Sequence, residues 1–198
     1  MPFVFKRLAL ILSIAAAWGA DKETPFKAQP AASYTAHQTN QQITIGADPY
    51  TNTDKLKTAF GKLDPNEHGV LPVLVVIQND SERAVRLTGM KVEYLGPNRE
   101  RVEATPAKEV RYLRPPQRPN MMPGPGSGVK VLKPKKNPLD AWEIEGRAFA
   151  AQMLPAGNTA SGFFYFQTPL QPRATLYVSG LADAGTGKEI LYFEIPLP

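Results

Sequence analysis

The sequence predicts a mainly β chain, an antiparallel β-sandwich carrying one or two short helices and a long Pro-rich loop. Three observations lead there. Seven or so short segments rich in β-branched and aromatic residues are separated by Gly, Pro, Asn and Asp turns. Helix-period segments are few, and strands and helices do not alternate as a parallel sheet requires. The 198 residues, 42% of them hydrophobic, suit one domain with appendages. An open barrel is the alternative arrangement of the same strands.

Residues 1–19 read as a secretory signal peptide. Lys6-Arg7 makes a basic start, Leu8 to Ala17 is apolar apart from Ser13, and Ala17-Trp18-Gly19 places small residues before a cut after Gly19 or Ala20. That apolar run is about half of the ~20 residues a membrane span needs. The mature chain is therefore expected to be secreted or periplasmic, without a transmembrane segment. Residues 20–39, polar and aperiodic with Pro25 and Pro30, read as a flexible tether, which leaves 40–198 as the β domain.

Within that domain Gln42-Ile43-Thr44-Ile45 alternates as a first strand, ended by Asp48-Pro49. Thr53 to Phe60 is predicted as a short helix, capped by Thr53 and stopped by Gly61, with Leu56 and Phe60 on its buried face. Gly69 to Ile77 is almost continuously apolar and stops at Gln78-Asn79-Asp80-Ser81, the pattern of a central strand covered on both faces. Val85-Arg86-Leu87, Lys91 to Leu95 and Arg101 to Glu103 follow as strands, with Gly96-Pro97-Asn98 as a turn.

Residues 106–138 contain eight Pro, with Gly124, Gly126 and Gly128 among them, and are predicted as an extended loop with polyproline stretches. Its apolar residues, Val110, Tyr112 and Leu113 among them, imply that parts of it lie against the body. Asn137-Pro138 opens a predicted helix to Gln152, whose apolar face is Leu139, Trp142, Gly146, Phe149 and Met153. Strands at Ala160 to Gln167, Ala174 to Ser179 and Glu189 to Pro196 complete the domain. In Phe163-Phe164-Tyr165-Phe166, alternate rings point to opposite faces. One pair is expected in the core and the other beneath the helix bearing Trp142 and Phe149; an exposed aromatic surface for a sugar or peptide is the competing reading.

Three stretches resemble exported bacterial proteins with immunoglobulin-like β-sandwich folds and no assigned activity. They are Gly69-Val70-Leu71-Pro72 with the strand ending at Asn79-Asp80, Pro155 to Phe166, and Leu176-Tyr177-Val178 with Tyr192 to Leu197. The resemblance implies an immunoglobulin-like arrangement of the sandwich and carries no catalytic residue across.

Charge is unevenly placed. Removing Lys6 and Arg7 lowers the formal charge from +5 to +3, whereas residues 106–138 alone hold eight Lys/Arg against Glu109, a charge of +7. The rest of the mature chain is thus −4, a mildly acidic body with a basic segment. Arg111, Arg114, Arg118, Lys130, Lys133, Lys135 and Lys136 are the candidate binding residues, suited to carboxylates, phosphates or anionic polymers. A solvated loop kept from aggregating by its charges explains the same residues.

No catalytic residue, metal site or cofactor is expected. Zero Cys excludes disulfides and thiolate chemistry, and His37 and His68 are the only His. Ala182-Asp183-Ala184-Gly185-Thr186-Gly187-Lys188-Glu189 has the Gly-Lys of a phosphate loop but lacks its leading Gly, its Ser/Thr and a following helix, so it reads as a hairpin turn. Ser127 lacks the context of a nucleophile, and Glu143 and Glu145 fall on different helix faces. The expected function is a non-enzymatic exported module that binds or helps assemble an envelope component or partner protein. Nucleic acid is not an expected partner. An enzyme with an unrecognised site and a spacer without a specific ligand are the alternatives.

Overall fold

The computed structural model describes residues 26–113, 121–123, 129–131 and 137–198. Its strands, in chain order, are β1 (Ala36–Asn40), β2 (Ile43–Pro49), β3 (Leu71–Asn79), β4 (Val85–Arg86), β5 (Lys91–Leu95), β6 (Arg101–Glu103), β7 (Met121–Pro123), β8 (Val129–Val131), β9 (Met153–Leu154), β10 (Thr159–Phe166), β11 (Thr175–Ser179), β12 (Ala182–Asp183) and β13 (Phe193–Pro196). Three short helices, α1 (Thr53–Phe60), α2 (Ala107–Val110) and α3 (Trp142–Gly146), accompany them. All paired strands are antiparallel; β1-β2-β3-β10 and β13-β11-β5-β6 form the two larger sheets, and β12-β4-β9 a small third.

β3 explains the architecture. Leu71, Val73, Val75 and Ile77 point into a core shared with Val92, Tyr94, Leu176, Val178, Phe193 and Ile195 of the opposite sheet. Leu74 and Val76 point the other way, into a second core roofed by Leu56 and Phe60 of α1, Ile144 of α3 and Val110 of α2. A strand buried on both faces must be apolar at successive positions, which is why its sequence shows a run and no alternation. β10 repeats the division: Phe166 lies in the first core and Phe163 and Tyr165 in the second.

Phe149 does not join the helical layer; it stacks on Phe164, 5.4 Å between centroids, on the other side of β10. The predicted helix over 137–152 shrinks to the five residues of α3, with Leu139 and Ile144 buried and Trp142 68% and Met153 55% exposed. Asn137 Oδ1 accepts the Leu139 N–H at 3.1 Å, a local Asn turn in place of a helix cap. Arg147 to Phe149 then leaves helical geometry because its backbone bonds the outer edge of β10: Phe163 N donates to Arg147 O at 2.9 Å and Phe149 N to Phe163 O at 3.1 Å. Gly162 permits this approach, since an added Cβ would collide with the Phe149 backbone.

Residues 26–39 are no tether. β1 pairs with β2 through a two-residue turn whose Gln41 and Gln42 have φ of 48° and 63°. Such turns ordinarily announce themselves with Asn-Gly or Asp-Gly; a Gln-Gln turn carries no such signal. Phe26 packs on Phe163 and Tyr50, and Ala31 is fully buried. β2 continues through Pro49 because β1 ends opposite Ala47, so no neighbour asks for the missing Pro N–H. Helix α1 lies where predicted, but Asn52 is its cap, accepting from Asp54 N at 2.9 Å. The predicted strand from Glu189 shortens to β13.

The segment 106–138 is not wholly extended. Pro106 precedes α2, a 3₁₀ turn follows at Arg111–Leu113, and β7 pairs with β8. Val110 is fully buried while Tyr112 is 74% exposed, so the segment's start lies on the body as its apolar content predicts. Residues 1–25, with the predicted signal peptide, lie outside the described residues, and among those described no helix is long and apolar enough to cross a membrane.

Candidate binding site

Among the basic residues singled out in the sequence, Arg111 has a described side chain. Its guanidinium pairs with Asp140 at 2.9 Å and with Glu145, and its carbonyl accepts from Asn137 Nδ2 at 2.6 Å. These contacts fasten the start of the basic segment to the residues at its end, so Arg111 acts as a clasp and not as a free cation. Lys130 lies in β8 with its side chain undescribed, and Arg114, Arg118, Lys133, Lys135 and Lys136 lie outside the described residues.

Arg147 is not among the candidate residues read from the sequence. Its backbone is fixed on the β10 edge, and its side chain lies between two aromatic rings, the guanidinium carbon 5.2 Å from the Phe26 centroid and 5.9 Å from that of Trp142. Among the described residues no carboxylate is within ion-pair distance of it, and its Nε is buried without a hydrogen-bond partner. Aromatic faces hold a cation without neutralising it, so the charge stays available for a ligand. The cleft beside it, about 700 Å³, is lined by Lys57, Thr58, Trp142, Glu143, Arg147 and Ser161 among others. That size lies within the range of small-molecule sites.

Two features hid this site. The 3–4 spacing assigned Trp142 to a buried face, and Phe26 belonged to a stretch read as a tether. Spacing within one helix cannot report that chain from before β1 returns to line a cleft at α3. Trp142 and Gly146, four apart, were the available signal: a Cβ on Gly146 would stand 2.9 Å from the indole, so the glycine lets the ring lie across its own helix.

The remaining sequence candidates resolve into structure. Asp183 Oδ1 accepts from Gly185 N at 2.9 Å and Thr186 N at 2.7 Å, and Gly187 has φ of 72°, so the Gly-Lys stretch is a tight turn. The Thr186 amide above all, with the Gly185 amide and Arg83 at 3.0 Å, holds the Asp183 carboxyl below its ordinary value. A depressed folded value means stability that is present above the unfolded carboxyl's ~3.9 and lost as pH falls through the lower folded one. Asp183→Asn is therefore expected to flatten the acid limb of a melting-temperature profile below about pH 4; an unchanged limb would refute this role. His37 Nδ1 is 2.7 Å from Tyr34 O, and His68 occupies the 3₁₀ turn Asn66–His68. Among the described residues no three His, Asp or Glu gather as for a metal.

No family model and no curated protein matches this chain. Among solved structures it is similar to the yjhA protein from Bacillus subtilis, with 12% identity over 83% of this chain and 98% of that one and a TM-score of 0.41. The putative ApaA protein from Bordetella pertussis aligns at 13% identity over 83% and 98% of the two chains, TM-score 0.37. A functionally unknown protein from Listeria monocytogenes EGD-e aligns at 11% identity over 82% and 80%, TM-score 0.39.

Proposed function

We propose that this protein is an exported, non-enzymatic binding module of immunoglobulin-like architecture, which contacts an anionic envelope component through the Arg147 cleft. The architecture is supported by strand order. With β2, β3, β5, β10, β11 and β13 taken as strands A, B, C, E, F and G, the two sheets run A-B-E and G-F-C, as in immunoglobulin-like sandwiches. Export is supported by the Lys6-Arg7 start, the short apolar run and the small residues around Gly19.

The observation that carries the reading is the Arg147 guanidinium held between Phe26 and Trp142 with no carboxylate in ion-pair distance among the described residues. An arginine that serves only the fold ordinarily meets a carboxylate or carbonyl oxygens, as Arg111 does. A bidentate bond from Arg to an incoming anion contributes about 1.5–3 kcal/mol, some 10–100-fold in affinity. Co-sedimentation of the full chain with an envelope fraction, before and after its carboxylates are masked by amidation, tests this. Arg147→Gln is expected to reduce recovery at least about tenfold without shifting the melting temperature, and masking is expected to do the same. Equal recovery of wild type and variant rejects the cleft as the contact.

A further inference from the structure

We infer that the Arg147 cleft takes a carboxylate-bearing sugar, a uronic-acid type of pyranose, with the C–H face of the ring on the Trp142 indole and the carboxylate on the Arg147 fork. The inference rests on the reading of this cleft as an anion site and names the class of ligand.

The composition of the cleft selects among anions. Lys57 and Arg147 are opposed by Glu143, which leaves one net positive charge among the ionisable lining residues. A polyphosphate or a multiply sulfated ring would bring several charges into the cleft against Glu143; a sugar ring that brings one carboxylate into it matches the balance. Glu143, Thr58 and Ser161 supply a strong acceptor and two hydroxyls, partners for groups that both donate and accept. Sugar hydroxyls are such groups, while a simple carboxylic acid has no use for them.

Trp142 supplies the second criterion. It is 68% exposed although it is the largest apolar side chain near the cleft, and its ring lies close over Gly146, where a Cβ would crowd it. An exposed indole is a flat platform of large contact area with only two side-chain torsions to order. A pyranose lays its axial C–H bonds on such a face through weak C–H contacts and dispersion. An acidic peptide would pair with Arg147 equally well but gain nothing specific from that platform.

Trp142 also reports on its own site. Trp18, the other tryptophan, lies in the segment read as a signal peptide, so with Trp18→Phe all indole emission comes from Trp142 whether or not that segment is removed. This protein is titrated with trigalacturonate, with its neutral counterpart galactotriose, and with hexaglutamate as an acid without a ring, following emission and heat. Trigalacturonate is expected to bind and shift the emission, with galactotriose at least about tenfold weaker. Trp142→Ala should weaken trigalacturonate about tenfold and hexaglutamate by clearly less, with heat as the readout. Arg147→Gln should abolish both acidic ligands, and Arg147→Lys, which keeps the charge and loses the fork, should fall between.

If hexaglutamate binds as tightly as trigalacturonate and Trp142→Ala is neutral, the sugar assignment is overturned while the anion site stands. If neither acid responds to Arg147, both readings fail together.

Discussion

Asn79→Ala is expected to cost about 3–5 kcal/mol, enough to remove much of the stability of a single domain. Asn79 is fully buried at the end of β3, and its amide is a junction. Nδ2 donates to Arg83 O at 2.7 Å and to Leu154 O and Pro155 O, both at 3.1 Å, while Oδ1 accepts from Ser81 N at 3.1 Å and Ser81 Oγ at 2.6 Å. Truncation leaves these groups buried without partners, which costs more than the bonds themselves contributed. Asn79→Asp is the sharper variant. Its ionised carboxylate would face three carbonyl oxygens, so its folded pKa must rise, and the variant should regain stability as pH falls and the acid protonates. Urea melts of both variants between neutral and mildly acidic pH provide the measurement. An Asp variant that follows the Ala variant at every pH would show that the amide's donors are not what matters.

Phe163→Ala is expected to cost about 3–5 kcal/mol, against about 1–2 kcal/mol for Phe164→Ala beside it. The asymmetry comes from the two faces of β10. Phe163 is 1% exposed, with the Tyr50 and Phe60 rings each 4.9 Å away and Phe26 at 5.4 Å. Removing it empties the centre of the second core, where neighbours on α1, β10 and the N-terminal segment cannot all collapse inward. Phe164 is partly exposed and has Phe149 as its ring partner, so its site opens to water when truncated. Equal costs in chemical denaturation would mean that the helical layer adds little to the stability of the sheets. A second consequence follows for binding, because Phe26 rests on Phe163 and walls the Arg147 cleft; Phe163→Ala should weaken anion binding even where the protein still folds.

Burial also reaches the ionisable groups of this core. Tyr165 donates its hydroxyl to Ile144 O at 2.8 Å, and desolvation pushes its pKa, like that of Tyr50, well above the ordinary tyrosine value. A raised folded value means stability intact below the unfolded tyrosine's ~10 and lost as pH climbs past it. In an alkaline titration Tyr50 and Tyr165 should give phenolate absorbance only as the domain opens. A single tyrosine transition near pH ~10 without unfolding would contradict their burial.

What the sequence determined by itself was the local grammar. The apolar run from Val70 to Ile77 could only be satisfied by cover on both faces, the alternation at Lys91 to Leu95 by one buried face, and the spacing of Leu56 and Phe60 by a short helix; each stands as read. These are statements about periodicity, and periodicity is set by the backbone. Tertiary contact decided the rest. It turned residues 36–40 into a strand, because β2 offered an open edge; it ended α3 early, because β10 offered Arg147 to Phe149 another set of backbone partners. It also made the candidate site, joining Phe26, Trp142 and Arg147 from chain segments far apart in sequence. Edge pairing and aromatic enclosure depend on which segments meet, and no spacing within one segment carries that information.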